Sequence, residues 1–205
     1  MPFVLLILAL GTFGVGTDEY LIVGLLPRVA ADTGVSEGVA GQLVMLFGIT
    51  YAVGSPLLAL ATIRVDRKRL LVSAIVVFAL ANLAAVFVPT ARWRFVTRFV
   101  AALAASSYTP TAMATATQLV DSKQQGQALA AIMAGVTGAI VLGLPLGRWI
   151  GTLFGWRASF GMVAIIGTVV MLLLAVGLPR VSPADHVITL RERLNFLSKG
   201  MFCWR

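Results

Sequence analysis

Long apolar runs separated by short charge-bearing segments dominate the chain. A bilayer core of about 30 Å needs about 20 apolar residues as helix. Six stretches reach that length, at about 3–26, 39–63, 70–88, 93–120, 128–146 and 158–178. None alternates as a barrel strand does, and open strands leave backbone groups unpaired in lipid. The pattern predicts an all-α membrane protein with six transmembrane helices in residues 1–180. Residues 181–205 carry no such run and are expected to form a polar tail.

The apolar pattern also repeats. Gly54-Ser-Pro56-Leu57 lies in the second span and Gly143-Leu-Pro145-Leu146 in the fifth, 89 residues on. The same offset carries the first span onto the fourth and the third onto the sixth. An odd number of spans per copy inverts the second copy, which predicts two inverted three-helix repeats, an arrangement found in secondary transporters.

Composition narrows the class. Of 205 residues, 59% are apolar and 12% charged, against about 45–50% and about 25% in soluble domains. A soluble globular domain and a disordered chain are both excluded. One Cys and one His exclude a disulfide framework or a cysteine-built zinc site. No Gly-rich phosphate loop with a Lys is present, so ATP hydrolysis is not expected. The spans hold no nucleophile–base or metal constellation of an intramembrane enzyme. No cofactor and no metal are expected.

The net charge of +8 sits in clusters between the spans, with no basic face interleaved with aromatics, so nucleic acid is not the expected partner. Arg64, Arg67, Lys68, Arg69, Lys123, Arg180, Arg191, Arg193, Lys199 and Arg205 fall on one side of the membrane. Arg28, Arg92, Arg94, Arg148 and Arg157 fall on the other. The ten-to-five bias places both termini in the cytoplasm of a cell-membrane protein. Trp93, Trp149 and Trp156 then lie at the outer interface. The first span lacks the basic start and small-residue cleavage site of a signal peptide.

Two acids stand inside the first span. Asp18 and Glu19 each carry a mid-membrane cost of about 2.5–3.5 kcal/mol on insertion scales, so such groups are usually functional and paired. Arg98, in the fourth span, is the candidate partner. Counted from the outer face, Glu19 lies about 12 Å deep and Arg98 about 8 Å. Neighbouring helical residues point about 100° apart, so only one acid faces Arg98 squarely. Asn82, Tyr108 and Thr109 are candidate cavity-lining groups, although such polar groups also bond their own helix backbone. At an offset of 89, Tyr108 is the counterpart of Glu19.

Gly135, Ala139, Gly143, Gly147 and Gly151 recur every fourth residue. They give the fifth span a face almost free of side chains, suited to close packing between the repeats. Pro145 can bend that helix. Arg64, Asp66, Arg67 and Lys68 form a loop cluster that sets orientation and is a candidate gating element.

These motifs resemble a family. Gly16-Thr17-Asp18-Glu19-Tyr20 with Gly24-Leu25-Leu26-Pro27 is similar to the first span of bacterial drug:proton antiporters of the major facilitator superfamily, in the chloramphenicol-resistance and sugar-efflux-like branch. The cluster at Arg64–Arg69 resembles that superfamily's loop motif, with Ile63 and Asp66 standing where the family has an Asp and a Gly. Gly143-Leu-Pro145-Leu-Gly147 resembles the antiporter motif, and Gly155-Trp156-Arg157-Ala-Ser-Phe160 the start of the sixth span. The resemblance implies Glu19 as the proton-coupling acid, Asp18 at a variable position, and Arg98 as the family's fourth-span Arg. It also implies twelve spans, so this chain resembles an N-terminal half, with 181–205 as an inter-half linker. The implied partners are the lipid bilayer, protons, a small-molecule substrate, and a second six-span half or another copy of the chain. The implied activity is alternating-access export of small amphipathic compounds of the chloramphenicol type. The alternatives are a sugar or metabolite exporter of the same superfamily and a truncated, non-transporting membrane protein.

Overall fold

The computed structural model describes residues 2–88 and 91–179, and the expected tail lies outside them. The chain forms α1 (Pro2–Thr33), α2 (Glu37–Ala61), α3 (Arg67–Phe87) and α4 (Ala91–Gln118). A 3-10 turn (Ser122–Gln124), α5 (Gln125–Gly138), a π turn (Ala139–Gly143), α6 (Leu144–Phe154) and α7 (Trp156–Gly177) follow. No strand occurs among the described residues. Gly34 at φ +66° and Gly155 at φ +86° supply the left-handed backbone that turns α1 into α2 and α6 into α7. Ser36 Oγ accepts from the Val39 N–H at 3.3 Å and Asp66 Oδ1 from the Arg69 N–H at 3.0 Å, which caps α2 and α3.

Five rods are long and apolar enough to cross a membrane, with α5, the π turn and α6 counting as one. The remaining rod, α4, carries Arg92, Arg94, Arg98 and many hydroxyls. It packs against α1, α2, α3 and α5, so Arg94, Arg98, Ser106, Ser107, Thr111 and Thr115 are buried in protein. Two rods outrun their apolar stretches. α1 continues through Pro27 to Thr33, and the fifth rod continues past Leu146 to Phe154.

Packing follows the inverted repeat. α1 packs on α5 as α4 packs on α2, and α1 on α7 as α4 on α3. The α3–α7 and α1–α4 contacts map onto themselves when the repeats are exchanged. Burial along residues 101–110 of α4 reproduces that along 11–20 of α1, position by position. That offset is 90, one more than the 89 relating Gly54 to Gly143. It makes Tyr108 the counterpart of Asp18, and Thr109 that of Glu19, correcting the sequence alignment by one residue.

The small-residue face of the fifth rod lies against α1. A Cβ on Gly135 would collide with the Ala9 carbonyl and the Thr12 hydroxyl, and one on Gly143 with the Thr17 hydroxyl. Gly147 and Gly151 meet Leu21 and Leu25 in the same way. The π turn explains how one face reaches so far. In an unbroken α-helix, residues four apart drift by about 40°, so Gly151 would point about 160° from Gly135. One wide turn takes back most of a residue's rotation, about 100°. It sits just before Pro145, whose missing N–H leaves an α-helical bond to Val141 unmade.

Candidate functional site: a buried ion pair and an adjoining polar surface

α1 and α4 bring an acid and a base together in the interior. Arg98 Nη1 donates to Asp18 Oδ1 at 2.7 Å, and Nη2 to the Asp18 carbonyl at 3.4 Å. The two side chains are 3% and 0% exposed. The Arg98 guanidinium lies 4.5 Å from the Phe47 ring of α2 and 5.6 Å from the Phe160 ring of α7. Asn82 of α3 adjoins the Asp18 carboxyl and donates to its own Phe78 carbonyl at 3.1 Å. Elements of both repeats therefore enclose one ion pair. Asp18 Oδ2, Asn82 Oδ1 and Arg98 Nε are buried there with no hydrogen-bond partner. Such a pair is finely balanced, because the lost hydration of two charges is of the same order as their attraction.

This pairing corrects an expectation. The acid bonded to Arg98 is Asp18, not Glu19. The depth estimate brought both acids near Arg98, but helical rotation decides between them, and Glu19 points elsewhere. Glu19 is half-exposed, with Tyr20, Tyr51 and Thr109 also half-exposed around it. The Tyr51 phenol interacts with the Thr109 hydroxyl and lies within electrostatic reach of Glu19 and Tyr20. An acid, two phenols and a hydroxyl thus form a polar surface on α1, α2 and α4, one residue from the buried pair. Phe47, Tyr51 and Phe160 were not singled out in the sequence as site residues. The only signal for Tyr51 was a polar aromatic inside a span.

Tyr108 does not line a cavity. It is fully buried against Gly11, and its hydroxyl approaches the Leu8 carbonyl at 3.5 Å. Asn82 is also buried, 1% exposed, and belongs to the ion-pair shell rather than to an open cavity. Gly143 and Gly147 lie in the α1 seam, and Pro145 follows the π turn.

The loop cluster is used at helix ends. Asp66 caps α3, while Lys68 Nζ donates to the Leu178 carbonyl at 2.5 Å, beyond the end of α7. Arg64 is exposed and Arg67 half-exposed. At the other end of α1, Asp32 Oδ2 accepts from Trp156 Nε1 at 2.9 Å and from Arg157 Nη1 at 3.1 Å. The guanidiniums of Arg157 and Arg94 lie 4.5 and 5.0 Å from the Trp156 ring. Trp156 is therefore buried in a clasp, while Trp93 and Trp149 are exposed.

A membrane-spanning bundle of two inverted three-helix repeats around a buried ion pair is the architecture of a secondary-transporter half. The chain belongs to the Major Facilitator Superfamily, which it matches over residues 8–203. It is 33% identical over 193 residues to the uncharacterized MFS-type transporter YbcL of Bacillus subtilis, covering 94% of this chain and 49% of that protein. It is 38% identical over 165 residues to a chloramphenicol resistance protein of Streptomyces lividans, covering 80% of this chain and 42% of that one. A bacterial homolog of the human lysosomal transporter Spinster, solved inward-facing and unoccupied, superposes with a TM-score of 0.79 at 20% identity. That match covers 98% of this chain and 49% of the solved one. The chain spans about half the length of these relatives. YbcL and the Spinster homolog are transporters by name, and the superfamily is a family of transporters rather than enzymes.

Proposed function

We propose that the chain is the N-terminal half of a proton-coupled exporter of small amphipathic compounds, chloramphenicol among them. Its partners are protons, the bilayer and a second six-span half. The observation that carries this reading is the buried Asp18–Arg98 pair beside the half-exposed surface of Glu19, Tyr20, Tyr51 and Thr109. A proton from outside neutralises Asp18 and weakens its hold on Arg98, so the helices of the two repeats shift from one packing to the other. Substrate occupies the Glu19 surface, and export follows the proton gradient by alternating access. Asp18, rather than Glu19, carries the coupling in this reading, because it is the acid bonded to Arg98.

The orientation that serves this cycle has both termini in the cytoplasm of the cell membrane. A Cys at Lys68 then reacts with an impermeant thiol reagent only in opened cells, and a Cys at Glu37 reacts in intact ones; the reverse pattern contradicts the orientation. Self-association remains part of the proposal. Its basis is the exposed apolar side chains of α2 and α6, such as Ile49, Leu57 and Leu153, because the small-residue face is already covered by α1.

The test is efflux from vesicles with an imposed pH gradient, containing this chain together with the remaining half of the chloramphenicol resistance protein. Gradient-driven chloramphenicol efflux that Asp18→Asn abolishes supports the reading. Efflux independent of the gradient contradicts the coupling. A probable sugar efflux transporter of Mannheimia succiniciproducens is 27% identical over 190 residues, so gradient-driven sugar efflux without chloramphenicol efflux would transfer the proposal to that class.

A further inference from the structure

The basic end of α3 adjoins a feature that the transport reading does not use. α2 and α3 are consecutive, yet each packs on α4 rather than on the other. The crevice between them, a cavity of about 200 Å³, has Leu58 of α2 and Ser73 and Val77 of α3 as walls and Val100 and Leu103 of α4 as floor. It is almost wholly apolar. At Ser73 it meets a second cavity of about 460 Å³, lined by Asp66, Lys68, Arg69, Val72 and Ala175. Ser73 belongs to both cavities.

Charge and apolarity are therefore ordered along one helix face. Arg69, Ser73 and Val77 stand four residues apart on α3. The path from Arg69 to Val77 is about 12 Å long, the scale of the upper part of an acyl chain beneath its headgroup. Two cations and one acid face the outer cavity, and the acid is engaged, since Asp66 Oδ1 accepts from the Arg69 N–H. Lys68 lines the same cavity and gives one of its three ammonium hydrogens to the Leu178 carbonyl, which leaves two for a ligand. Basic pockets between membrane helices that open onto apolar surface suit anionic lipid headgroups.

We propose that the two cavities form one binding site for an anionic glycerophospholipid. Its phosphate sits between Lys68 and Arg69, its glycerol passes Ser73, and an acyl chain lies along Val77 and Leu103. The apolar crevice beyond the charged pocket commits the site to a membrane lipid rather than to free phosphate. The proposal does not depend on transport.

The experiment uses the full chain in detergent, titrated with phosphatidylglycerol, phosphatidylcholine or inorganic phosphate, with bound lipid counted by native mass spectrometry. Phosphatidylglycerol should bind about tenfold or more tightly than phosphatidylcholine, and Arg69→Gln should weaken it about fivefold. Val77→Trp, which fills the crevice, should weaken both lipids. Arg148→Gln, an exposed charge on α6, should change nothing, and millimolar phosphate should displace no lipid. Helix content is checked by circular dichroism, with Lys68→Gln as the second charge variant if Arg69→Gln fails to fold. Equal affinity for the two lipids, unchanged binding in the charge variant or in Val77→Trp, or displacement by phosphate would overturn the site.

Discussion

α1 and α4 meet through two matched contacts with different chemistry. At one, Asp18 of α1 bonds Arg98 of α4; at the other, Tyr108 of α4 reaches the Leu8 carbonyl of α1. The offset of 90 that aligns burial along the two helices exchanges these contacts, carrying Asp18 to Tyr108 and Leu8 to Arg98. The repeat places them at opposite depths, and both are closed. The neutral one is filled by a phenol packed on Gly11, and its hydrogen bond is long at 3.5 Å. The architecture therefore does not require charge at this position. A buried ion pair is weak evidence for stability in itself, and the neutral contact at the matched position is closed without one.

The largest effect should come from breaking the charged contact on one side. Arg98→Ala leaves a buried carboxylate without a counter-charge and should lower the stability of the chain in detergent by about 3–5 kcal/mol. Arg98→Lys should cost less, because it keeps the charge and loses only the planar fork. Denaturant unfolding followed by circular dichroism measures both. At the neutral contact, Tyr108→Ala opens a cavity and should cost about 3–5 kcal/mol. Tyr108→Phe should stay within about 1 kcal/mol, because only a long hydrogen bond is lost. A large loss in Tyr108→Phe would remove the distinction between a charged contact and a packed one.

The seam beside these contacts should respond less than a broken ion pair. Gly143→Leu forces a side chain into Thr17, and overpacking of this kind costs about 1–3 kcal/mol. The smallest effect belongs to the clasp at the far end of α1. Arg157 and Asp32 are 40% and 46% exposed, so Arg157→Ala should cost about 0–1 kcal/mol and the loss should shrink with added salt. A cost there equal to that of Arg98→Ala would mean that burial does not separate the two ion pairs.

The limits of the sequence reading follow from what a one-dimensional pattern records. Six apolar runs and one offset were enough for the helices and the inverted repeat, because lipid demands length and apolarity and Gly54 and Gly143 mark matching positions. Azimuth was not legible. Asp18 and Glu19 differ by one residue, hence about 100°, and depth alone could not choose between them. The same one-residue slip, 89 against 90, set Tyr108 opposite Glu19 instead of Asp18. Pro145 announced a bend but not the π turn before it, which depends on how Gly135 through Gly151 meet α1. The partner of the Trp156 N–H was not legible either, because it depends on α1 extending to Asp32. Tyr51 acquires meaning only through neighbours on other helices.

The central claim is that Asp18, not Glu19, is the acid held by Arg98. Two double-mutant cycles on the full chain in detergent test it directly, pairing Arg98→Ala with Asp18→Asn in one and with Glu19→Gln in the other. The structure predicts a coupling of about 2 kcal/mol or more between Asp18 and Arg98, and about 0.5 kcal/mol or less between Glu19 and Arg98. A large coupling to Glu19 with none to Asp18 would contradict the account.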